Sequence, residues 1–327
     1  MRSSDLAKSI LAKAEAGKHI EFEEAKILMD SEETSLSDLI QVSKLITRLH
    51  FGNKIDMCAI YPAKVGRCSG DCAFCSQSAH HECNVKTVDA NELDNNEIVA
   101  NAKELHRLGV GRYSLVTSGE RLTDLEFDKI IEVFQAINNE TGIALCASLG
   151  TLTTERAARL KESGVSRYHH NIETSRSYFA NICTTHSYDD KIKTIDIAHQ
   201  AGLDVCCGGI ISMGETAEQR IEMAFAIKEM NVSCVPINIL DPIAGTRLEN
   251  QELLSSDEIM RTIAVFRLIF QEKPLRFAGG RDKALKQDEY LGYDAGINSM
   301  IVGNYLTTQG KSFEEEIENL KKAGYTI

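Results

Sequence analysis

Hydrophobic and polar positions follow a repeating unit along most of the chain. Each unit has an amphipathic helical stretch, a glycine or polar turn, and a short apolar run. The repeat is preceded by a strand-like run at 54–64, and its units end in seven segments: 105–119, 140–150, 160–172, 198–211, 227–240, 271–280 and 294–303. Strands that alternate with helices form right-handed crossovers and a parallel sheet. Eight strands in about 250 residues predict a (β/α)8 TIM barrel.

The same pattern suggests where the barrel begins and ends. We expect the barrel at residues 51–305, helices packed on it at 1–50, and a C-terminal helix and tail at 306–327. The first 26 residues contain no long apolar core and are typical of an amphipathic helix, so we expect no secretion signal. A doubly wound open sheet is the alternative fold, because strand number alone does not separate the two.

Composition narrows the class of protein. Of 327 residues, 43% are hydrophobic and 26% charged, which is typical of a globular chain with a large core. The net charge of −12 argues against nucleic-acid phosphates or anionic membranes as partners. Ten cysteines without an export signal indicate reduced thiols in the cytoplasm, where they are more often metal ligands or reactive groups than disulfides.

Three cysteines lie close together in the loop after the first strand. Cys68, Cys72 and Cys75 have the spacing C-x3-C-x2-C. Three thiolates in one loop hold one face of a metal centre and leave a position open. A structural zinc site normally has four protein ligands, which His80 or His81 would have to complete. A three-ligand [4Fe-4S] cluster fits the spacing better, because these clusters favour thiolates.

This loop, with Phe74 directly before the last cysteine, resembles the radical S-adenosylmethionine (SAM) superfamily. The resemblance implies that SAM chelates the open iron through its amino and carboxylate groups. It also implies that one electron from the cluster cleaves SAM to methionine and a 5′-deoxyadenosyl radical, which removes hydrogen from an unactivated carbon.

Longer segments over roughly residues 40–310 resemble the biotin synthases. They are KVGRCSGDCAFCSQSAHH, LGTLT, YHHNIETS, ICTTHSYDD, VCCGGIISMGET, VPINIL-PIAGT and LRFAGGR. The resemblance implies a TIM-barrel enzyme that inserts sulfur between C6 and C9 of dethiobiotin, with one SAM-derived radical for each C–H bond. It further implies a second iron–sulfur cluster as sulfur donor, a flavodoxin or ferredoxin as electron donor, contact with iron–sulfur assembly machinery, and a homodimer.

The SAM pocket is carried over from the same resemblance. Phe74 is expected near the adenine, and Asn171 and Glu173 on the fourth strand are expected to face the nucleoside and the substrate. This chain has Glu at 173, where the family often has Asp. The stretch that corresponds to the methionine-carboxylate and ribose region contains Gly208, Gly209 and Glu215. The alternative for the two glycines is an ordinary bend between strand and loop.

Substrate contacts are expected from two asparagines and a histidine. Asn171 and Asn238 offer both donors and acceptors for the ureido ring of dethiobiotin. His169, followed by His170, stands at the top of the fourth strand, where one of the pair faces the substrate or the SAM carboxylate. The alternatives are asparagines satisfied by backbone and a core or rim histidine.

The donor-cluster positions depart from the usual family pattern. That pattern has cysteines on strands two, three and five and an arginine on strand seven. This chain has Cys146, Cys206 and Arg276 at three of these places, but Ser114 on strand two. Serine is a poor substitute for a soft thiolate ligand, so the usual [2Fe-2S] cluster is not expected unchanged. Arg276 either binds the cluster or neutralises its charge.

Two further cysteines compensate for the missing one. Cys58 lies on strand one and Cys234 begins strand six, at places where the family usually has small hydroxyl residues. Inward positions on these strands converge near a barrel axis. Together with the cysteines on strands three and five they would complete a four-thiolate set. This set resembles the anaerobe-type biotin synthases and favours a four-iron donor, [4Fe-4S]-derived or [4Fe-5S].

Two other functions remain open on the sequence. One is a different radical SAM enzyme of the same branch, such as a maturase, which has no need for the inner cysteines. The other is a non-catalytic zinc protein that uses the loop cysteines and a histidine. The roles of Cys83, Cys183 and Cys207 are also open, although core packing is favoured for Cys207.

Overall fold

Parallel strands form the centre of the computed structural model, which describes residues 9–14, 16–306 and 310–327. Within these ranges nine strands form one parallel sheet. They are β1 Asp56–Lys64, β2 Arg112–Thr117, β3 Ala144–Ser148, β4 Val165–His169, β5 Asp204–Cys206, β6 Gly209–Ile211, β7 Val235–Ile239, β8 Leu275–Phe277 and β9 Ser299–Val302. Each of the eight predicted runs contains one strand, except 198–211, which contains both β5 and β6.

β5 and β6 are two halves of one interrupted strand that closes the sheet. β5 pairs with β4 and β6 pairs with β7. Across the interruption, the Ile210 amide donates to the Glu173 carbonyl at 2.8 Å, and the Cys207 amide donates to the Cys234 carbonyl at 3.1 Å. Backbone hydrogen bonds therefore continue around the sheet. The (β/α)8 TIM-barrel prediction is confirmed, and the open doubly wound sheet is excluded.

Helices precede, connect and follow the strands. They are α1 Phe22–Met29, α2 Leu36–Phe51, α3 Asn95–Arg107, α4 Asp124–Glu140, α5 Thr154–Glu162, α6 Arg176–Ile182, α7 Tyr188–Gln200, α8 Ala217–Glu229, α9 Ser256–Ile269, α10 Arg281–Leu285, α11 Leu291–Asp294 and α12 Phe313–Lys322, with 3-10 turns at Ala90–Glu92 and Lys286–Tyr290. Several begin with reciprocal Ser or Thr caps that satisfy free backbone amides: Thr123, Ser187, Thr216 and Ser255. None of the described helices has the length and apolar composition that crossing a membrane requires.

The start of the chain differs from the amphipathic helix predicted over residues 1–26. Residues 9–14 are helical, and α1 begins at Phe22. The backbone turns between them at Gly17, whose φ of +68° lies in the region that favours glycine. Residues 1–8 and 15 of that prediction lie outside the described part of the chain.

α1 and α2 lie against α9 on the outside of the barrel. The Arg261 guanidinium donates to the Leu28 carbonyl at 2.9 Å, and Arg267 stacks over the Phe51 ring at 5.0 Å. At the other terminus the Ile55 amide donates to the Thr326 carbonyl at 2.8 Å, so the tail returns to the start of β1. Residues 307–309, within the predicted C-terminal segment, are outside the described ranges.

Gly208 stands at the interruption between β5 and β6, where neighbouring backbone leaves no room for a side chain. An added Cβ would lie 1.8 Å from the Pro236 carbonyl oxygen on β7. We predict that Gly208→Ala lowers the free energy of unfolding by roughly 3 kcal/mol or more, because backbone must move at the barrel closure. Urea denaturation of the cluster-free protein measures this.

Gly202→Ala is the matched control for this change. Gly202 has φ of +73° and no atom within 4 Å of an added Cβ, so its cost is about 1 kcal/mol of backbone strain. Equal destabilisation by the two variants would contradict the role given to Gly208.

Candidate active site

The three-cysteine loop is a folded turn with its own hydrogen bonds. The Cys68 amide donates to the Gln77 carbonyl at 3.0 Å, and the Ala79 amide donates to the Cys68 carbonyl at 2.8 Å. The Cys68 sulfur accepts from the Gly70 amide at 3.4 Å. An amide directed at sulfur stabilises a thiolate, so the turn is suited to metal binding.

Asp71, inside this turn, binds the segment that joins α6 to α7. Its Oδ1 accepts from the backbone amides of Thr184 at 2.9 Å and Thr185 at 3.2 Å. Burial alone would raise the pKa of Asp71, but these hydrogen bonds and those from the Thr184 hydroxyl and the Cys183 thiol hold it well below its usual range. The Ala73 amide also donates to the Ile182 carbonyl at 2.7 Å. The two segments, far apart in sequence, therefore form one unit.

That unit brings Cys72 next to a cysteine and a histidine whose roles the sequence left open or did not mention. The Cys72 sulfur lies 3.9 Å from the Cys183 sulfur, which lies 3.3 Å from Nδ1 of His186. A hydrogen bond to Cys183 raises the pKa of Cys72, and the same bond lowers the pKa of Cys183 to about 5. The C-x-x-H spacing of Cys183 and His186 was the available signal, but nothing local connects it to Cys72.

His80 and His81, which a zinc reading requires, contact the loop through its backbone. Nε2 of His80 lies 3.0 Å from the Ser69 carbonyl, and Nδ1 of His81 lies 2.8 Å from the Cys75 carbonyl. Both imidazoles therefore support the turn.

A cavity of about 380 Å³ connects the loop with the inside of the barrel. Phe74 and Cys75 line it from the loop. Residues of the strands line the same space: Cys58, Ser114, Cys146, His169, Cys206, Asn238 and Arg276, with Asn171 and Glu173 just beyond β4. The cavity therefore connects Cys75 of the loop with three of the inner cysteines.

The residues at the end of β4 are held in place by their neighbours. Oδ1 of Asn171 accepts from the Gly208 amide at 3.0 Å. Glu173 has φ of +68°, a strained conformation for a side-chain-bearing residue, and its carboxylate lies 3.8 Å from Nζ of Lys191. Burial lowers the pKa of His169 to about 4, so its imidazole faces the cavity neutral at physiological pH.

Asn238 bridges two strand ends, whereas Glu215 supports a loop. Asn238 donates from Nδ2 to the Gly209 carbonyl at 3.2 Å and accepts at Oδ1 from the Gly279 amide at 3.0 Å. The buried Glu215 carboxylate accepts from the amides of Ser212 and Met213 at 2.9 and 2.7 Å and pairs with Arg220 at 3.4 Å. Glu215 does not line the described cavity.

Gly208 and Gly209 are constrained by protein atoms. An added Cβ at Gly209 would lie 2.3 Å from the Met223 sulfur and 2.6 Å from the Glu173 carbonyl oxygen. Close packing of the interrupted strand therefore accounts for both glycines.

The inner cysteines lie together inside the barrel. They are at most 3% exposed: Cys58, Cys146, Cys206 and Cys234. A backbone bridge pairs Cys206 with Cys234, and burial, with a further contribution from the nearby Cys234, raises the pKa of Cys58. Burial raises the pKa of Cys146 to about 12, so without a metal this thiol stays protonated.

Arg276 lies among these thiols in a fixed position. Its Nη1 is 3.9 Å from the Cys206 sulfur, its Nη2 is 3.2 Å from Oδ2 of Asp56, and its Nε donates to the Ser299 hydroxyl at 2.8 Å. Ser114, the departure from the family pattern, lines the cavity and is paired in register with Cys146.

Arg167 completes the electrostatic setting. Burial acts to lower the pKa of Arg167, but the nearby Cys206, Cys234 and Cys146 raise it. Its Nη2 lies 3.7 Å from Oδ2 of Asp204, whereas its buried Nε has no hydrogen-bond partner among the described residues. An unsatisfied cationic donor beside soft thiols fits an anionic iron–sulfur group, whose charge and sulfides would satisfy it. The three thiols of the three-cysteine loop fit a [4Fe-4S] cluster, because such clusters favour thiolate ligands.

The two remaining cysteines, Cys83 and Cys207, belong to neither set. Cys207 is fully buried in the hydrophobic core. The Cys83 sulfur donates to the Ala244 carbonyl at 3.3 Å at the rim.

Comparison with known proteins decides the family. Residues 64–227 match the Radical SAM superfamily, and residues 236–326 match the Biotin and Thiamin Synthesis associated domain. The biotin synthase of Acetivibrio thermocellus is 48% identical over 315 residues, 96% of this chain and 97% of that protein. The chain belongs to the biotin synthase family. The biotin synthase of Pelotomaculum thermopropionicum is 44% identical over 94% of this chain and 96% of its own. Biotin synthases are radical SAM enzymes that insert sulfur, and that is the reaction type of this chain.

Solved structures confirm the fold. Methylornithine synthase superposes with a TM-score of 0.82 at 18% identity, covering 98% of this chain and 96% of its own. The [FeFe]-hydrogenase maturase from Carboxydothermus hydrogenoformans has a TM-score of 0.80 at 20% identity, covering 98% and 78%. Identities of 18 and 20% show a shared fold and not a shared reaction. The biotin synthases are 44–48% identical to this chain, so the maturase-like alternative is not favoured.

Asp71 provides a test of the loop's support. We predict that Asp71→Ala lowers the free energy of unfolding by about 1–3 kcal/mol, because two backbone amides lose their acceptor. The depressed pKa means that this contribution is present at neutral pH and is lost only as the pH falls below about 4, where an unfolded carboxyl is protonated. Urea denaturation of the cluster-free protein at pH 7 measures the change.

Asp189→Ala is the control, because Asp189 is an exposed carboxylate nearby that pairs with Arg176 at 2.7 Å. Exposed pairs contribute little, so this variant should unfold like the unmodified chain. If both variants have unmodified stability, Asp71 does not hold the loop.

Proposed function

We propose that this chain converts dethiobiotin to biotin, with SAM at the three-cysteine loop and a sulfur donor among the inner cysteines. The observation that carries the proposal is the single cavity lined by Phe74 and Cys75 on one side and by Cys58, Cys146 and Cys206 on the other. A substrate that receives both radical and sulfur must contact both sites, and this cavity offers such a position.

Cys68, Cys72 and Cys75 would hold the SAM cluster, which supplies one-electron cleavage of SAM when bound. Phe74 offers an apolar face for the adenine. Glu173, whose carboxylate lies 3.8 Å from Nζ of Lys191, is suited to accept hydrogen bonds from ribose hydroxyls. Gly208, Gly209 and Glu215 would support this pocket indirectly, through strand packing and loop hydrogen bonds.

Asn171, Asn238 and His169 would orient the ureido ring of dethiobiotin. Each asparagine is anchored to backbone, yet an amide has two N–H groups and two lone pairs on oxygen. Each therefore keeps hydrogen-bonding capacity for the cavity. A neutral His169 adds one donor or one acceptor without introducing a charge near the radical.

The inner cysteines would hold a four-iron donor cluster that contains the sulfide to be transferred. This cluster would be of the [4Fe-4S] or [4Fe-5S] kind that the resemblance to the anaerobe-type enzymes implies. The four buried thiols support four ligands, and Ser114 disfavours the [2Fe-2S] form. Arg276 would donate hydrogen bonds to cluster sulfur, since its contact with the Cys206 sulfur and its pair with Asp56 suit charge compensation better than ligation. The catalytic residues are then the loop cysteines and Arg276.

The setting of the reaction is part of the proposal. Ten free cysteines support a reducing cytoplasmic location. Flavodoxin or ferredoxin would supply electrons, iron–sulfur assembly machinery would build the clusters, and the chain would work as a homodimer without nucleic-acid or membrane partners.

Biotin formation tests the activity. The anaerobically reconstituted chain, given dethiobiotin, SAM and a low-potential reductant, should yield biotin and two 5′-deoxyadenosines per biotin by mass spectrometry. Deoxyadenosine without biotin would favour another radical SAM reaction. Zinc without iron or acid-labile sulfide would favour the metal-binding protein.

The inner ligand set has a separate test. Cys58→Ser and Cys234→Ser should each abolish biotin formation and lower iron from about eight to about four per chain, while SAM is still cleaved. Iron analysis and Mössbauer spectroscopy measure this. Cys207→Ala, which alters a buried core thiol next to Cys206, should keep both clusters. Biotin formation by both serine variants would refute the assignment.

A further inference from the structure

Cys72, Cys183 and His186 form a compact group of soft ligand atoms beside the SAM-cluster loop. One ligand atom from each residue lies within 4.8 Å of the other two. Cys183 directly follows α6 and His186 stands just before α7. The SAM cluster of the proposed function uses Cys72 but gives no role to the other two.

The distances suit a single tetrahedral metal ion. Zinc–sulfur bonds of about 2.3 Å and zinc–nitrogen bonds of about 2.0 Å place two tetrahedral sulfurs about 3.8 Å apart and sulfur about 3.5 Å from nitrogen. The Cys72 and Cys183 sulfurs are 3.9 Å apart, and the Cys183 sulfur lies 3.3 and 3.6 Å from the two His186 ring nitrogens. In a [4Fe-4S] cluster each thiolate binds a different iron, so this group suits one ion better than a cluster corner.

Surrounding contacts hold the group in place. Cys183 is 3% exposed, and its sulfur lies 3.3 Å from Oδ1 of Asp71. Asp71 in turn accepts hydrogen bonds from the backbone amides of Thr184 and Thr185. The amide hydrogen bonds fix the backbone between Cys183 and His186 and so hold these two ligands in position. The hydrogen bond from the Cys183 thiol to Asp71 is lost when this sulfur binds a metal as a thiolate. Two thiols and an imidazole are also a donor set that favours zinc.

We propose that Cys72, Cys183 and His186 bind one thiophilic divalent ion, zinc by preference, in the cluster-free chain. Both sulfurs bind as thiolates, and any proton that a thiol still holds passes to solvent, with no change of oxidation state. Solvent supplies the fourth ligand. Because Cys72 cannot serve both sites, this ion and the SAM cluster exclude each other, and zinc delays cluster assembly until it is removed.

Cobalt(II) is the probe, because it reports thiolate ligation through charge-transfer and tetrahedral d–d absorption. Titrated anaerobically into the chelator-treated full chain, it should show a site that Cys183→Ala and His186→Ala each weaken roughly tenfold or more. The difference spectrum between the unmodified chain and Cys183→Ala isolates this site from the inner cysteines. Zinc should displace the cobalt.

Matched cysteine variants decide between ligand sets. Cys68→Ala and Cys83→Ala should keep the Cys183-dependent signal. If cobalt absorption is lost in Cys68→Ala and kept in Cys183→Ala, the ion belongs to the three-cysteine loop and the proposal is overturned. A Cys183→Ala spectrum identical to that of the unmodified chain would overturn it as well. Circular dichroism verifies that each variant is folded.

Competition with the cluster gives a second readout. Reconstitution with iron and sulfide should be slowed by one equivalent of zinc in the unmodified chain and much less in Cys183→Ala, as measured by visible absorbance. Equal inhibition in both would contradict the proposal. Biotin formation by the zinc-free chain is independent of this result, so failure here leaves the proposed function untouched.

Discussion

Positive charge enclosed among thiols is the constraint on which the interior of this barrel depends. Arg276 is buried with Asp56 as its partner at 3.2 Å, the half-buried Arg167 pairs with Asp204 at 3.7 Å, and Arg112 donates to the neutral Ser166 hydroxyl at 2.9 Å. Asp56 and Asp204 are both exposed, and arginines whose charge is only partly matched in this way are costly to enclose. Neutral thiols cannot compensate them, whereas thiolates on an iron–sulfur group can. The electrostatics of the barrel therefore favour an anionic cofactor.

The barrel also determines how the two thiol sets are related. Strand cysteines point into an interior that parallel β-strands enclose, and the loop after β1 covers the same cavity. Strands fix the inner set rigidly, because backbone hydrogen bonds on both sides set their register. The loop set depends instead on Asp71 and the segment between α6 and α7.

Fold and chemistry separate clearly in this protein. Methylornithine synthase shares the barrel at 18% identity, so the same architecture accommodates different reactions. What distinguishes this chain is the content of its interior: cysteines on β1, β3 and β5 and directly before β7, with Ser114 on β2. These side chains change the chemistry of the cavity without altering strand pairing, because inward positions of a barrel pack against one another and not against the helices.

Local pattern determined the eight barrel strands and the three-cysteine loop, since periodicity and short spacing are properties of neighbouring residues. Three features came only from tertiary structure: the interruption of strand five, the support role of Glu215, and the contact of Cys72 with Cys183. The last joins residues 111 positions apart. Such contacts depend on how α6 and α7 pack over the loop, and this packing results from the summed energy of the whole barrel, which no short stretch of sequence contains.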